Sequence, residues 1–170
     1  MLELRELAHR DRWHPGAAQA LWVSRYLDVG AASLPESHSR VFLEFAGLPR
    51  PAVNVLLGDE PDAPTTDLWL EQWRTALEYE GAHHFTDPEQ VRRDIGRYAW
   101  MRRRDVNYVQ ITRHLHARPR ALVLTAYSAL VDRGYTGPRP EFGARWHQLF
   151  ARPPVERSAG NLIRGDEVAS

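Results

Sequence analysis

The stretch Asp67-Leu-Trp-Leu-Glu-Gln-Trp-Arg-Thr-Ala-Leu-Glu-Tyr-Glu80 constrains the fold more than any other. Asp67–Leu70 and Thr75–Glu80 alternate apolar and polar residues with the period of a strand, and Glu71–Arg74 is the length of a tight connection. The two runs predict an antiparallel hairpin whose turn centres between Gln72 and Trp73, which sets Asp67 opposite Glu78. Side chains so paired stand about 5 Å apart, and Glu80 shares the face of Glu78 because strand side chains alternate. Three acids on one face repel one another and raise one another's pKa unless a cation lies between them. His83, His84 and Asp87 follow directly, and a divalent metal is one answer to the repulsion. The other is that these acids form the ordinary solvated face of a hairpin.

Charge is segregated along the chain although the formal net charge is zero. Residues 57–89 hold nine acids and one Arg, and residues 91–120 hold nine Arg and two Asp. An acidic hairpin followed by a basic segment suits a metal-dependent enzyme acting on a polyanion, with Arg92, Arg93, Arg97 and Arg103 placed to meet phosphate. It equally suits two segments that neutralise each other in the fold. All 22 basic residues are Arg, so no lysine takes part in any mechanism, and the lack of Cys removes thiol catalysis, disulfides and zinc–thiolate sites. No apolar run is long enough to span a bilayer, and the first residues are too charged for a secretory signal. A cytoplasmic protein without membrane partners is the expectation.

Along the chain, a charged segment over residues 1–14 precedes a domain over 15–135, a docked C-terminal helix within 136–151 and a disordered tail over 152–170. The first domain helix is expected over about 16–27. Ser33-Leu-Pro-Glu36 reads as the start of the next, with Ser33 capping and Pro35 in the first turn, and Gly47 ends it. Val53–Leu57 reads as a strand before the hairpin. Thr86-Asp-Pro-Glu89 opens a helix reaching about Arg103 that buries Val91, Ile95, Tyr98 and Ala99. Val106–Ile111 alternates as a strand, and Arg118–Asp132 reads as an amphipathic helix ended by Gly134. Phe142, Trp146, Leu149 and Phe150 supply the face of the last helix, while His114 and His116 read as surface residues. The order predicts an α/β fold, a mixed sheet with helices on its faces. Trp69 and Trp73 on the hairpin read as core residues, or as contacts to a substrate.

Glu36-Ser37, Ala46-Gly-Leu-Pro-Arg-Pro51, Asp67-Leu-Trp69, Glu78-Tyr-Glu-Gly81, His84, Asp94 and Arg97 recur in an order and spacing that resembles a known family. It is the endonuclease-like domain related to very-short-patch-repair endonucleases, within the PD-(D/E)XK nuclease superfamily, and the resemblance spans roughly residues 15–112. It implies a restriction-endonuclease-like αβββαβ core, extended here by N- and C-terminal helices. It also implies Mg²⁺ or Mn²⁺ held by Asp67 and Glu78, with Glu36 completing the site. Glu80 stands where the superfamily has its lysine, His84 matches the family histidine, and Asp94 and Arg97 match a helix that supports the site or contacts phosphate. The activity implied is metal-dependent hydrolysis of DNA. Related proteins often carry a preceding winged-helix region; none is expected before Trp13, so the expectation is a stand-alone or shortened version, with a protein partner as one route to targeting. The alternatives are a catalytically inactive nuclease-fold module that binds nucleic acid or a protein, and a plain α/β domain whose acids and arginines pair.

Overall fold

The computed structural model describes residues 33–80 and 88–151, together with Glu6, Arg10 and Tyr26. Residues Tyr26–Ala151 form one compact unit. The expected helix over 16–27, the cap at Thr86 or Asp87, the histidines 83 and 84 and the tail from Arg152 lie outside the described residues.

Helix α1 spans Leu34–Phe45. It starts where Ser33, in extended conformation, accepts a hydrogen bond from the Glu36 amide through its hydroxyl at 3.4 Å. The helix ends as the spacing requires. Gly47 adopts φ +85°, the Leu48 amide reaches back to the Leu43 carbonyl at 3.0 Å, and the Gly47 amide bonds the Glu44 carbonyl at 3.2 Å. These two bonds are the Schellman closure, which a Cβ at Gly47 would strain through its backbone angle. Ser33→Ala should cost about 1 kcal/mol, measurable by urea unfolding; no loss would mean that the cap contributes nothing here.

Strands β1 (Ala52–Leu56), β2 (Thr65–Leu70), β3 (Thr75–Glu80) and β4 (Asn107–Thr112) form a sheet in that order. β1–β2 and β2–β3 are antiparallel, and β3–β4 is parallel. Helix α2 (Pro88–Arg103) connects the parallel pair, as a parallel connection demands. The hairpin follows its predicted register, with Leu68 opposite Leu77 and Leu70 opposite Thr75. A 3₁₀ turn over Glu71–Trp73 and a left-handed Arg74 make the connection. The short helix α3 (Arg113–His116), α4 (Pro119–Val131) and α5 (Ala144–Gln148) complete the described chain.

Alternation divides the sheet into two faces. Leu68, Leu77 and Val109 stand in one row, and their face carries α1 and α4, which also pack on each other. Leu43, Leu122, Val123, Ala126 and Leu130 are buried there, and Trp146 of α5 meets the Phe42 ring at 6.1 Å. On the opposite face Ala76 packs with Trp100 and Met101 of α2 and with Val106, flanked by Trp69 and Tyr108. Trp69 thus belongs to a core, and Trp73 meets Tyr135 edge-on at 5.2 Å.

The expected apolar face of α2 requires correction. Val91 and Ile95 are 36% and 63% exposed, whereas Trp100 and Met101 are buried. The last turns of the helix carry the larger side chains, and docking them buries more apolar area than docking Val91 and Ile95 would. The first half of α2 is left standing beside an open cleft.

Candidate functional site

A row of polar residues crosses the α2 face of the sheet. The register that pairs Val53 with Leu68 and Val55 with Thr66 sets Asn54 opposite Asp67. The hairpin register sets Asp67 opposite Glu78, and Glu78 pairs directly with Gln110. Each of the four strands therefore contributes one polar side chain to a single line. Asn54 holds φ +49°, a left-handed conformation that Asn tolerates better than most residues, and its side-chain amide donates to Glu36 Oε2 at 3.3 Å. Glu36 is thereby tied from the first turn of α1 to the same row, although it is buried itself.

Asp67 Oδ2 accepts the Tyr79 backbone amide at 2.8 Å, a cross-strand contact that fixes the carboxylate beside Glu78. Burial pushes the Asp67 pKa up and the nearby Glu36 charge adds to this, while the Tyr79 amide and Arg97 oppose it. Burial also raises Glu78, helped by the Asp67 charge and opposed chiefly by Arg97. Glu78 Oε2 receives the Arg97 guanidinium, which also donates to the Thr65 carbonyl at 2.6 Å. Glu78 Oε1 is fully buried with no hydrogen-bond partner. The nearby Thr66 hydroxyl donates to the Leu68 carbonyl at 3.4 Å, and its closeness to the Glu78 carboxylate tempers the rise in the Glu78 pKa. Burial works against the charge of Arg97, but the Glu78 carboxylate more than compensates and its pKa is raised.

Glu80 lies one step further along β3 and belongs to a different network. Its Oε1 accepts from the hydroxyls of Tyr98 and Tyr108, the latter at 2.7 Å, and its Oε2 from the Gln110 amide. The three acids expected on one face fall into two networks: Asp67 and Glu78 share a site with Arg97, and Glu80 accepts from Tyr98, Tyr108 and Gln110. His84, the remaining expected catalytic residue, and Asp87 lie outside the described residues.

The basic segment is placed less freely than phosphate recognition would ask. Arg97 pairs with Glu78, Arg104 with Glu60, Arg92 with Glu89 at 2.6 Å and Arg103 with Asp62 at 4.0 Å. Each pair joins an acid of residues 57–89 to an arginine of residues 91–120, so much of the segregated charge is neutralised within the fold. The exposed Arg92 and Arg103 pairs are weak and open to exchange with another anion. Arg93 is exposed on α2. His116 is not the surface residue expected. It stacks on His38 at 5.7 Å and meets Tyr79 edge-on at 5.3 Å, and burial lowers its pKa, with His38 adding to the effect.

Among the described residues no three His, Asp or Glu side chains converge as a ready ligand set for a metal. Whether a divalent cation suits the row rests on Glu78 Oε1. A buried carboxylate oxygen without a donor, beside a second carboxylate whose pKa is raised, is a place where a hard cation relieves both penalties. Mg²⁺ characteristically takes one or two carboxylates and keeps waters elsewhere, so Asp67 and Glu78 suffice as its protein ligands, with Glu36 next in reach through Asn54.

These pKa directions fix a pH dependence. A carboxyl that titrates higher in the folded than in the unfolded chain binds its proton more tightly when folded. Its favourable contribution is present below the ordinary carboxylate range and is lost as pH rises through the raised value. Without metal, the stability of Glu78→Gln relative to wild type should therefore grow as pH rises through that window, as read by urea unfolding. A difference independent of pH would show that Glu78 titrates normally.

Asn54, Tyr108 and Gln110 carry no site role in the sequence reading, and Tyr98 enters it only as a buried position of α2. A signal for Tyr108 and Gln110 was present: they alternate on β4 beside Glu78 and Glu80, but their placement needed the parallel register. No protein-family model, curated protein or solved structure matches the chain. Among the described residues no helix is long and apolar enough to cross a membrane.

Proposed function

We propose that this chain is a metal-dependent endonuclease that hydrolyses DNA phosphodiester bonds. The observation that carries the reading is the buried, unpartnered Oε1 of Glu78 beside Asp67 on the hairpin. The motif resemblance to PD-(D/E)XK nucleases, and the helix–three strands–helix–strand order of α1 to β4, are in keeping with it.

In this reading Asp67 and Glu78 hold Mg²⁺ or Mn²⁺, and Glu36 supports them from α1. The bound cation would lower the pKa of a water and offset the charge that builds on the phosphate. Water oxygen bonds to phosphorus as the ester P–O bond breaks, and the leaving oxygen takes up a proton. Arg97 holds the site closed as the counter-charge of Glu78, and once released it is positioned to meet a phosphate oxygen with its planar fork. Glu80, locked by Tyr98, Tyr108 and Gln110, is oriented as a fixed anion, and with no lysine in the chain the proton on the attacking water goes to a carboxylate, to His84 or to solvent.

The Arg97–Glu78 pair also favours a second reading. If the guanidinium stays in the cation's place, the chain is a nuclease-fold module that binds nucleic acid or a protein without turnover. Supercoiled plasmid and labelled single- and double-stranded oligonucleotides, incubated with Mg²⁺, Mn²⁺ or EDTA, separate the two. Cutting with metal and none with EDTA is expected; binding without cutting in any metal would leave the inactive module.

A further inference from the structure

Helix α4 turns its inner face to the sheet and to α1, burying Leu122, Val123, Ala126 and Leu130. Its outer face is not the polar one a solvated helix presents. Leu124 and Val131 are 49% and 44% exposed and stand two turns apart on one line, with Tyr127 and Ser128 between them. The Tyr127 ring meets Tyr135 edge-on at 6.1 Å, which extends the line beyond the end of the helix. The ends of α4 carry charges of the wrong sign. Arg118 is its N-cap and Arg120 lies in its first turn, Asp132 is its C-cap, and there is no acid in the first turn and no base in the last. Arg133, next in the chain, is engaged by Asp105 at 2.8 Å. A helix dipole favours acids at the N-terminus and bases at the C-terminus, so Arg118, Arg120 and Asp132 are all set against it. All are exposed, and among the described residues none of them forms an ion pair.

We propose that the outer face of α4 is the interface of a homodimer, with α4 packed antiparallel on α4 of a second copy about a two-fold axis at Tyr127 and Ser128. A two-fold contact is self-complementary: if one residue meets another, the second also meets the first. Leu124 then lies against the partner's Val131, and Val131 against the partner's Leu124. The small Ser128 lets the two backbones approach at the centre. Arg118 and Arg120 come to the end of the partner helix that holds Asp132 and Tyr135. Opposite charges meet at both ends, each dipole end lies beside the opposite end of its neighbour, and Arg120 gains an aromatic face. A parallel arrangement would instead bring Arg118 to Arg118 and leave the end charges unrelieved. The second copy is the partner that fits, because what the face lacks at one end it carries at the other. A formal net charge of zero also gives two copies no long-range repulsion. The assignment does not rest on the nuclease reading, because α4 packs on the Leu68 and Leu77 side of the sheet, opposite Asp67 and Glu78.

The test is sedimentation velocity of the full chain over about 1–500 μM, a range that brackets a contact of this size. Wild type should pass from the 19.5 kDa monomer to a dimer as concentration rises. Leu124→Glu, at an exposed helix position, should weaken association at least about a hundredfold, since each copy loses a leucine, with thermal unfolding of the dilute protein unchanged. Asp132→Arg should weaken it about tenfold by setting like charges together at both ends. Reversing both ends at once, with Arg118→Glu, Arg120→Glu and Asp132→Arg in one chain, should recover what Asp132→Arg alone loses. A loss of fold would not be repaired by two further substitutions, so this recovery separates pairing from misfolding. A monomer at every concentration, association undiminished by Leu124→Glu, or no recovery in the triple variant would each overturn the proposal; in the first case the face belongs to a different protein.

Discussion

Asp67→Ala should lose metal-dependent cleavage by at least about a thousandfold while the protein stays folded. Asp67 is half-buried on β2, so its removal opens space at a polar row and leaves the apolar cores on both sheet faces intact. The hydrogen bond it accepts from the Tyr79 backbone amide is replaceable by water at this depth. Burial and the Glu36 charge both raise its pKa, so the folded chain holds this anion at a cost that Ala removes. Activity is therefore lost with stability retained or gained, the opposite of what a structural carboxylate would show. Single-turnover cleavage of a labelled duplex in Mn²⁺, with urea unfolding of the same samples, reads both. A variant that cuts like wild type would remove Asp67 from the site.

Arg97→Ala should destabilise the metal-free protein by about 2 kcal/mol near neutral pH, because it strips the partner from a buried carboxylate. Glu78 is 5% exposed and its second oxygen already lacks a donor, so the charge left behind has no route to water. The penalty should shrink as pH falls, since Glu78 takes up a proton and the buried charge disappears. The double variant with Glu78→Gln should lose much less than Arg97→Ala alone, which identifies the pair as the source. Mn²⁺ should stabilise Arg97→Ala more than wild type, because the guanidinium no longer competes for Glu78. Equal stabilisation of the two would mean that the cation and Arg97 do not share the carboxylate.

The sequence carried the local parts of this fold well. Ser33 and Gly47 bracket α1 because capping and the left-handed turn are chemistry of single residues, and the hairpin register follows from alternation on both sides of a four-residue link. What it could not carry depended on which of two candidate faces wins. Val91 and Ile95 have helical spacing, yet Trp100 and Met101 dock because they bury more area, and no periodicity reports that competition. Asp67 and Glu78 were legible as neighbours from the hairpin alone. The separation of Glu80 was not, since it needs tyrosines and a glutamine from α2 and β4, elements joined to β3 through a parallel crossover. The two readings of the arginines, phosphate contact and neutralisation within the fold, were not separable by sequence, because the positions of Arg97 and Arg104 against acids of the preceding segment depend on how α2 docks.

In the proposed function Asp67 and Glu78 share a divalent cation. Calorimetric titration of Mn²⁺ into wild type and Asp67→Ala, both metal-free, tests it without assuming a substrate. Wild type should show a single saturable site, strengthened as pH rises and the carboxyls lose their protons, and the variant should show none. No Mn²⁺ binding by wild type, or equal binding by Asp67→Ala, would contradict it.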